Sequence, residues 1–345
     1  MQYYFFIFFA TVLTAILATG ISIQLAKKFK LIDSPDKDRK IHKKDTPLFG
    51  GFGIFLAFFI FMFFCVDKLT ASDLELSHWI GVFIGACFLM IGGFLDDKYN
   101  LKPIQQIIWP VLAIISAIAG GVGIEKISNP LGGLFFLNEF FFLPYLFTFI
   151  WLSGMMYTTK LLDGLDGLVA GVTGIGAFII FLFTMTTKYY QPDIGLASLI
   201  LAAACLGFLF FNWHPAKIFL GEGGSLLLGY LLGVLAIISG GKIAIALLIM
   251  GIPVLDVAWT ILRRLFKRKN PFSFADKMHL HHRLLALGMG QKKTVLTFYF
   301  LSALFGISAL FLQSKGKLFA LVILFLFMVL LVLSLNYLNK KHAKN

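Results

Sequence analysis

Eleven stretches of this chain run apolar for about 16 to 25 residues at a time, near 2–26, 50–66, 79–95, 103–119, 144–161, 166–187, 194–211, 225–240, 242–262, 294–312 and 318–338. A cluster of charge, glycine or proline closes each one off. A helix of about 20 apolar residues crosses a bilayer, and its backbone hydrogen bonds stay within the segment. The pattern therefore predicts an all-α polytopic membrane protein, a bundle of about eleven transmembrane helices forming one multi-pass domain over residues 1–345. Composition agrees: 59% of the residues are hydrophobic, 14% are charged and 40 are phenylalanine, which leaves too little polar surface for a soluble globule.

Orientation follows from the basic residues. None precedes the first run, whereas Lys27, Lys28 and Lys30 follow it, so the first run is expected to be a span with its N-terminus outside. A cleaved signal peptide has the reverse charge order. With that start, the inner segments hold 24 of the 30 Lys and Arg residues and the outer ones 6, which predicts a cytoplasmic C-terminus. The same rule accounts for the net charge of +13 without invoking nucleic acid. Cys65, Cys87 and Cys205 lie within apolar runs, where they read as small fillers and not as disulfide partners or metal ligands. The longest outer connection, 125–144, contains Asn129-Pro130 and Gly132-Gly133 and reads as a short hairpin at the interface. No internal repeat and no inverted pair of broken helices is evident.

Chemistry concentrates on the inner side, where five segments carry unusual polar residues. The first, 33–51, combines a basic run with Gly50 and Gly51 at a span entrance, and most of its lysines obey topology alone. The second places Asp96 and Asp97 at the end of a span, where two acids oppose the negative pole of the helix dipole; a bound cation or acid–base work would account for them. The third, 161–168, reads Leu-Leu-Asp-Gly-Leu-Asp-Gly-Leu. If a helix begins there, Asp163 and Asp166 share one face, and capping by Asp163 would explain one of the two acids but not both. The fourth, 212–225, sets Glu222 among Gly221, Gly223 and Gly224 ahead of another helix, a second carboxylate at a glycine-rich helix start. The fifth, 256–293, contains Arg263-Arg264 and then His279, His281, His282 and Arg283. Zinc is a weak reading there, because the usual helical pair is i, i+4 and no cysteine is near. Imidazoles beside arginine suit an anion better, and Leu280, Leu284 and Leu285 suggest an amphipathic arm at the membrane surface. Carboxylates alternating with cationic and glycine-rich sites describe a pyrophosphate bound with a divalent metal. Transporter acids would be expected near the bilayer midplane, and these gather at one face.

In this order the loops resemble the polytopic polyprenyl-phosphate sugar-1-phosphate transferases of the WecA and TagO type, a branch of glycosyltransferase family 4 with phospho-MurNAc-pentapeptide transferase as a cousin. The resemblance spans nearly the whole chain. It is carried by 39–44 with Pro47 to Gly51, by Gly93-Phe-Leu-Asp96-Asp97, Asp163-Gly-Leu-Asp166-Gly, Pro215-Ala-Lys217-Ile-Phe-Leu-Gly221, Pro253-Val-Leu-Asp256 with Arg263-Arg264, and Asp276-Lys-Met-His279-Leu-His281-His282-Arg283. It implies transfer of a sugar 1-phosphate, such as N-acetylglucosamine 1-phosphate, from a UDP-sugar to undecaprenyl or another polyprenyl phosphate. UMP is released, in the first membrane step of envelope polysaccharide synthesis at a bacterial inner membrane. By the family's pattern Asp96 is the base for the lipid phosphate and Asp97 its polar neighbour, while Glu222 and Asp163 hold Mg²⁺, or Mn²⁺ in its place. Lys44, Lys160, Asp166, Asn212, Arg263, Arg264, His279, His281 and His282 contact the donor, and a homodimer is left open. Three positions depart from the pattern: Tyr157 and Lys160 stand where the family has asparagine, and Glu222 where it has aspartate. An ammonium at Lys160 is expected to pair with Asp163 or to reach Glu222 across the site, weakening or altering a metal requirement; an inactive homologue acting as a scaffold is the alternative that Lys160 favours.

Overall fold

The computed structural model describes residues 2–35, 45–71, 74–129, 133–186, 189–240, 243–266 and 279–342. Its helices follow the apolar runs. They are α1 (Gln2–Phe29), α2 (Gly50–Phe64), the single turn α3 (Val66–Leu69), α4 (Leu76–Tyr99), α5 (Pro103–Ala119), α6 (Leu143–Leu162), α7 (Leu168–Thr184), α8 (Pro192–Asn212), α9 (Gly221–Ile238), α10 (Ile243–Ile249), α11 (Gly251–Phe266), α12 (Leu280–Ala286), α13 (Gln291–Phe311) and α14 (Ser314–His342). The protein is an all-α polytopic membrane protein: among the described residues six helices are long and apolar enough to cross a bilayer, and three shorter apolar ones are α2, α5 and α7. The expected single span at 242–262 is instead a pair, α10 and α11, bent by 80° at Met250. An unbroken apolar run carries no sign of such a break, because lipid and protein interior reward the same residues.

The core is organised around α9. Of its 18 residues all but Glu222 and Ile238 are buried, and it packs against α2, α4, α6 and α7. Small residues allow this closeness. A Cβ on Gly51 would lie 2.1 Å from the Cα of Gly224, and one on Gly93 would lie 2.1 Å from the backbone nitrogen of Gly223. The walls of the bundle therefore touch backbone to backbone at the start of α9. On the opposite side, Lys126–Ser128 and Leu134–Phe136 pair antiparallel as the expected hairpin, with Phe135, Phe136 and Phe140 to Phe142 exposed beside it.

Candidate active site

The start of α9 is built by two tight connections. Gly221 takes a φ of +75°, the left-handed region that favours glycine, and its backbone faces Asp97: a Cβ there would lie 2.6 Å from Asp97 Oδ2. The next N–H, of Glu222, donates to both carboxylate oxygens of Asp97 at 3.2 Å. An acid at a helix N-terminus meets unpaired N–H groups and the positive pole of the dipole, so the start of α9 offsets part of the burial and of the Glu222 repulsion that act on Asp97. The preceding strand of chain is held as well, since Gly50 and Gly51 donate to the carbonyls of Phe219 and Leu220 at 2.8 and 2.9 Å. This ties the first inner segment to the fourth.

Asp96 points its bonds elsewhere. Its Oδ1 accepts from the Leu101 backbone at 2.8 Å and from Gln106 Nε2 at 3.1 Å, and among the described residues nothing bonds to its Oδ2. Gln106, on the first turn of α5, passes the connection on: its Oε1 accepts from Lys160 Nζ at 3.3 Å. Lys160, on the last turn of α6, sits 2.8 Å from Glu222 Oε2. The lysine thus reaches across the site to Glu222, one of the two partners expected for it. Asp96, Gln106, Lys160, Glu222 and Asp97 form a continuous polar chain through four helices. The charges of Glu222, Asp96 and Asp163 all act on Asp97, which locates the four carboxylates within one electrostatic neighbourhood.

The Asp163–Gly167 turn differs from the expectation of a helix start. Asp163 is the C-cap of α6, and α7 begins only at Leu168, so Asp163 and Asp166 do not share a helix face and Asp163 does not cap α7. Two glycines in five residues keep the chain in a turn long enough to separate the acids. Solvent reaches the Asp163 carboxylate on one side, yet the protein around it, with Glu222 and then Asp166 adding repulsion, raises it to about 8. Asp166 instead faces the fourth segment: its Oδ2 lies 2.7 Å from His214 Nδ1 and accepts from the Ala216 backbone at 3.1 Å. Asn212 is buried between the two loops, its Oδ1 accepting from Gly167 N–H at 2.9 Å and its Nδ2 donating to the Ile218 carbonyl at 2.8 Å. Both ends of its amide serve backbone, which makes it a brace. From behind, the Tyr299 hydroxyl donates to the Gly167 carbonyl.

The histidine motif folds back onto this turn and does not lie free as an amphipathic arm. Asp256 of α11 bonds His279 Nδ1 at 2.9 Å and the Leu280 backbone at 3.0 Å, which fixes the start of α12. The rings of His279 and His281 stack at 5.9 Å and 4°, and His281 lies 4.2 Å from His282. His281 in turn presses on Gly164, where a Cβ would come within 2.5 Å of its Nε2. Burial, with His282 and His279 beside it, holds the His281 imidazole well below its ordinary pKa and therefore neutral near pH 7. Arg263 and Arg264 end α11, half-buried, with Arg263 close enough to act on Arg283. Lys44 lies outside the described residues. All five inner segments meet here. Sequence reasoning missed Gln106 and His214; the one signal for the first is an amide pair, Gln105-Gln106, at the head of an otherwise apolar run, and for the second the polar cluster Asn212-Trp213-His214 at a span end.

Among the described residues no three His, Cys, Asp or Glu side chains stand together as a ready-made metal cage, and the zinc reading gains no support. The donor set is nonetheless carboxylate oxygen, which suits Mg²⁺. That ion commonly takes one or two protein carboxylates and completes its shell with substrate phosphates and water. Glu222 and Asp163 fit such a role, with the ammonium of Lys160 already on one of them.

The chain is similar to known proteins over most of its length. The model of glycosyl transferase family 4 matches residues 79–240. The chain is 34% identical to the "Probable undecaprenyl-phosphate N-acetylglucosaminyl 1-phosphate transferase" of Bacillus subtilis, across 97% of this chain and 92% of that protein. It is 30% identical to the decaprenyl-phosphate N-acetylglucosaminephosphotransferase of Mycobacterium tuberculosis, across 82% of this chain and 76% of the other. A phospho-N-acetylmuramoyl-pentapeptide-transferase of Halalkalibacterium halodurans is 32% identical across 88% and 94%.

Proposed function

The chain belongs to glycosyl transferase family 4, and we propose that it transfers N-acetylglucosamine 1-phosphate from UDP-N-acetylglucosamine to a polyprenyl phosphate, releasing UMP, at the cytoplasmic face of a bacterial inner membrane. The observation that carries this reading is the meeting of five polar segments at the start of α9, with Asp96, Asp97, Asp163 and Glu222 in one electrostatic neighbourhood and the histidine motif closing over them. We read the helices as eleven crossings, the bent α10–α11 pair counting as one, with the N-terminus outside.

The reaction forms a bond between an oxygen of the acceptor phosphate and the sugar-bearing phosphorus of the donor. The bond from that phosphorus to the bridging oxygen breaks, and UMP leaves with the electron pair. Asp96, whose Oδ1 is occupied by Leu101 and Gln106, offers Oδ2 to take the proton of an acceptor phosphate that arrives as the monoanion. Asp97 is anchored on Glu222 N–H and holds the start of α9 against the end of α4. The histidine motif, with Arg263 acting on Arg283 of α12 and Arg264 next to it, would supply positive charge for the nucleotide phosphates, while the neutral His281 packs the motif onto Gly164. Glu222 and Asp163 would hold Mg²⁺, which when bound neutralises charge on the pyrophosphate. Lys160 adds a fixed positive charge to the same neighbourhood.

The test is incubation of membranes carrying the protein with labelled UDP-N-acetylglucosamine, polyprenyl phosphate and Mg²⁺, scoring labelled lipid and UMP together. Both products are expected. Labelled lipid formed only with a UDP-muramoyl-pentapeptide donor would move the chain to the other branch, and no product with any donor would favour a scaffold.

A further inference from the structure

Gln106 is the only member of the polar chain described above that is neither charged nor part of a motif, and every polar atom of its side chain is used. Its Nε2 donates to Asp96 Oδ1 at 3.1 Å and to the Leu101 carbonyl at 3.0 Å; its Oε1 accepts from Lys160 Nζ at 3.3 Å. The three contacts fix the orientation of the amide, because the reversed one would set NH₂ against an ammonium and oxygen against a carboxylate. The turn between α4 and α5 does not need it. Leu101 N–H already bonds Asp96, and Asn100 N–H bonds the Asp96 carbonyl at 2.8 Å. What Gln106 adds is a link from that turn to α6, 54 positions away, and through Lys160 to Glu222 on α9.

We propose that Gln106 is a positioning residue for the transfer reaction: by clamping Asp96 with its donor end and Lys160 with its acceptor end, it sets the base and the counter-charge of Glu222 in one fixed relation. This rests on the reading of Asp96 as the base. A carboxylate held by one oxygen to two donors cannot rotate freely, so the direction of Oδ2 toward an acceptor phosphate is set by Gln106 and Leu101 together. Removal of the amide releases Asp96 to swing about its remaining bond and releases Lys160 from one of its contacts. The loss falls on the chemical step, since none of these groups needs to touch the nucleoside or sugar.

The experiment uses the full chain in membranes and two variants that separate the two ends of the amide. Gln106→Leu removes both. Its kcat should fall at least tenfold while KM for UDP-N-acetylglucosamine stays within twofold, and acetylation of Lys160 by acetic anhydride, read by mass spectrometry, should rise severalfold. Gln106→Glu keeps an acceptor for Lys160 and loses the donor to Asp96, so kcat should fall comparably while Lys160 acetylation stays at the wild-type level. Wild-type kcat in both variants, or a loss confined to KM, overturns the proposal. Poor accumulation of Gln106→Leu leaves the isosteric Gln106→Glu to decide it. If the wild type transfers no sugar phosphate at all, the functional reading fails separately. Lys160 labelling then still decides the clamp: an unchanged level in Gln106→Leu refutes it.

Discussion

Lys160→Asn should tighten the binding of a divalent cation. The ammonium lies 2.8 Å from Glu222 Oε2, with the lysine side chain 10% exposed and the glutamate 33%, so the pair is partly shielded from water. A metal that uses Glu222 must first draw it from this partner. A partly exposed ion pair contributes about 0.2–1 kcal/mol, and about 1.4 kcal/mol corresponds to tenfold in affinity. Deleting the ammonium should therefore lower the dissociation constant by up to about fivefold on that term alone, and relief of direct repulsion between two cations acts in the same direction. The assay is a Mn²⁺ titration of the purified full-length protein followed by electron paramagnetic resonance, beside a Mg²⁺ titration of the transfer rate. Lys160→Asn and Glu222→Asp are measured singly and together; the shorter aspartate loses its reach to Lys160, so each single variant should move the curve and the double should add little. An unmoved binding curve in Lys160→Asn would refute the idea that the lysine competes with the metal. A wild type inactive with every donor, beside a double variant that turns over, would make the native protein a scaffold.

Asp96→Asn keeps the size of the side chain and removes its basicity, so turnover should fall by at least a hundredfold while UDP-sugar binding, measured by calorimetry, persists; wild-type turnover would exclude Asp96 as the base. Gly93→Ala would put a Cβ 2.1 Å from the Gly223 nitrogen, forcing α4 and α9 apart at a cost of about 1–3 kcal/mol; the thermal midpoint and the transfer rate should both drop, and an unchanged midpoint would mean that the two backbones are not in contact. A reporter fused after Asn345 should read as cytoplasmic and one inserted within 126–138 as external, and the opposite pattern would put the site on the wrong side of the membrane for a nucleotide donor.

Much of the fold could be read from the chain because a bilayer simplifies the problem. A helix surrounded by lipid and protein needs no amphipathic period, only length and apolarity, so ten of the eleven runs mark one helix each to within a few residues, and the eleventh, 242–262, covers the bent pair α10 and α11. The hairpin at 126–136 was legible from Asn129-Pro130 and Gly132-Gly133 for the same local reason. Breaks and polar partnerships were not. Met250 interrupts an apolar run with an apolar residue, and Asp163 reads equally well as the start of α7 or the end of α6 when glycine follows it. Asn212 gave no sign that both ends of its amide would be spent on backbone. Gln106 and His214 acquire meaning only when helices distant in sequence are brought together, which no local pattern encodes.

The glycine contacts at the start of α9 also decide where this protein can deform. With Gly51 against Gly224 and Gly93 against Gly223, there are no side chains between the walls to act as cushions. Rotamer changes cannot absorb a displacement there, so α2, α4 and α9 must travel as one rigid block or not at all. The other wall of the site is joined through side chains, α12 being moored through Asp256 and through His281 resting on Gly164. In mechanical terms Asp96, Asp97 and Glu222 belong to the anvil and the histidines to the jaw. The anvil tolerates almost no change of shape, because an added Cβ at Gly51 or Gly93 meets backbone.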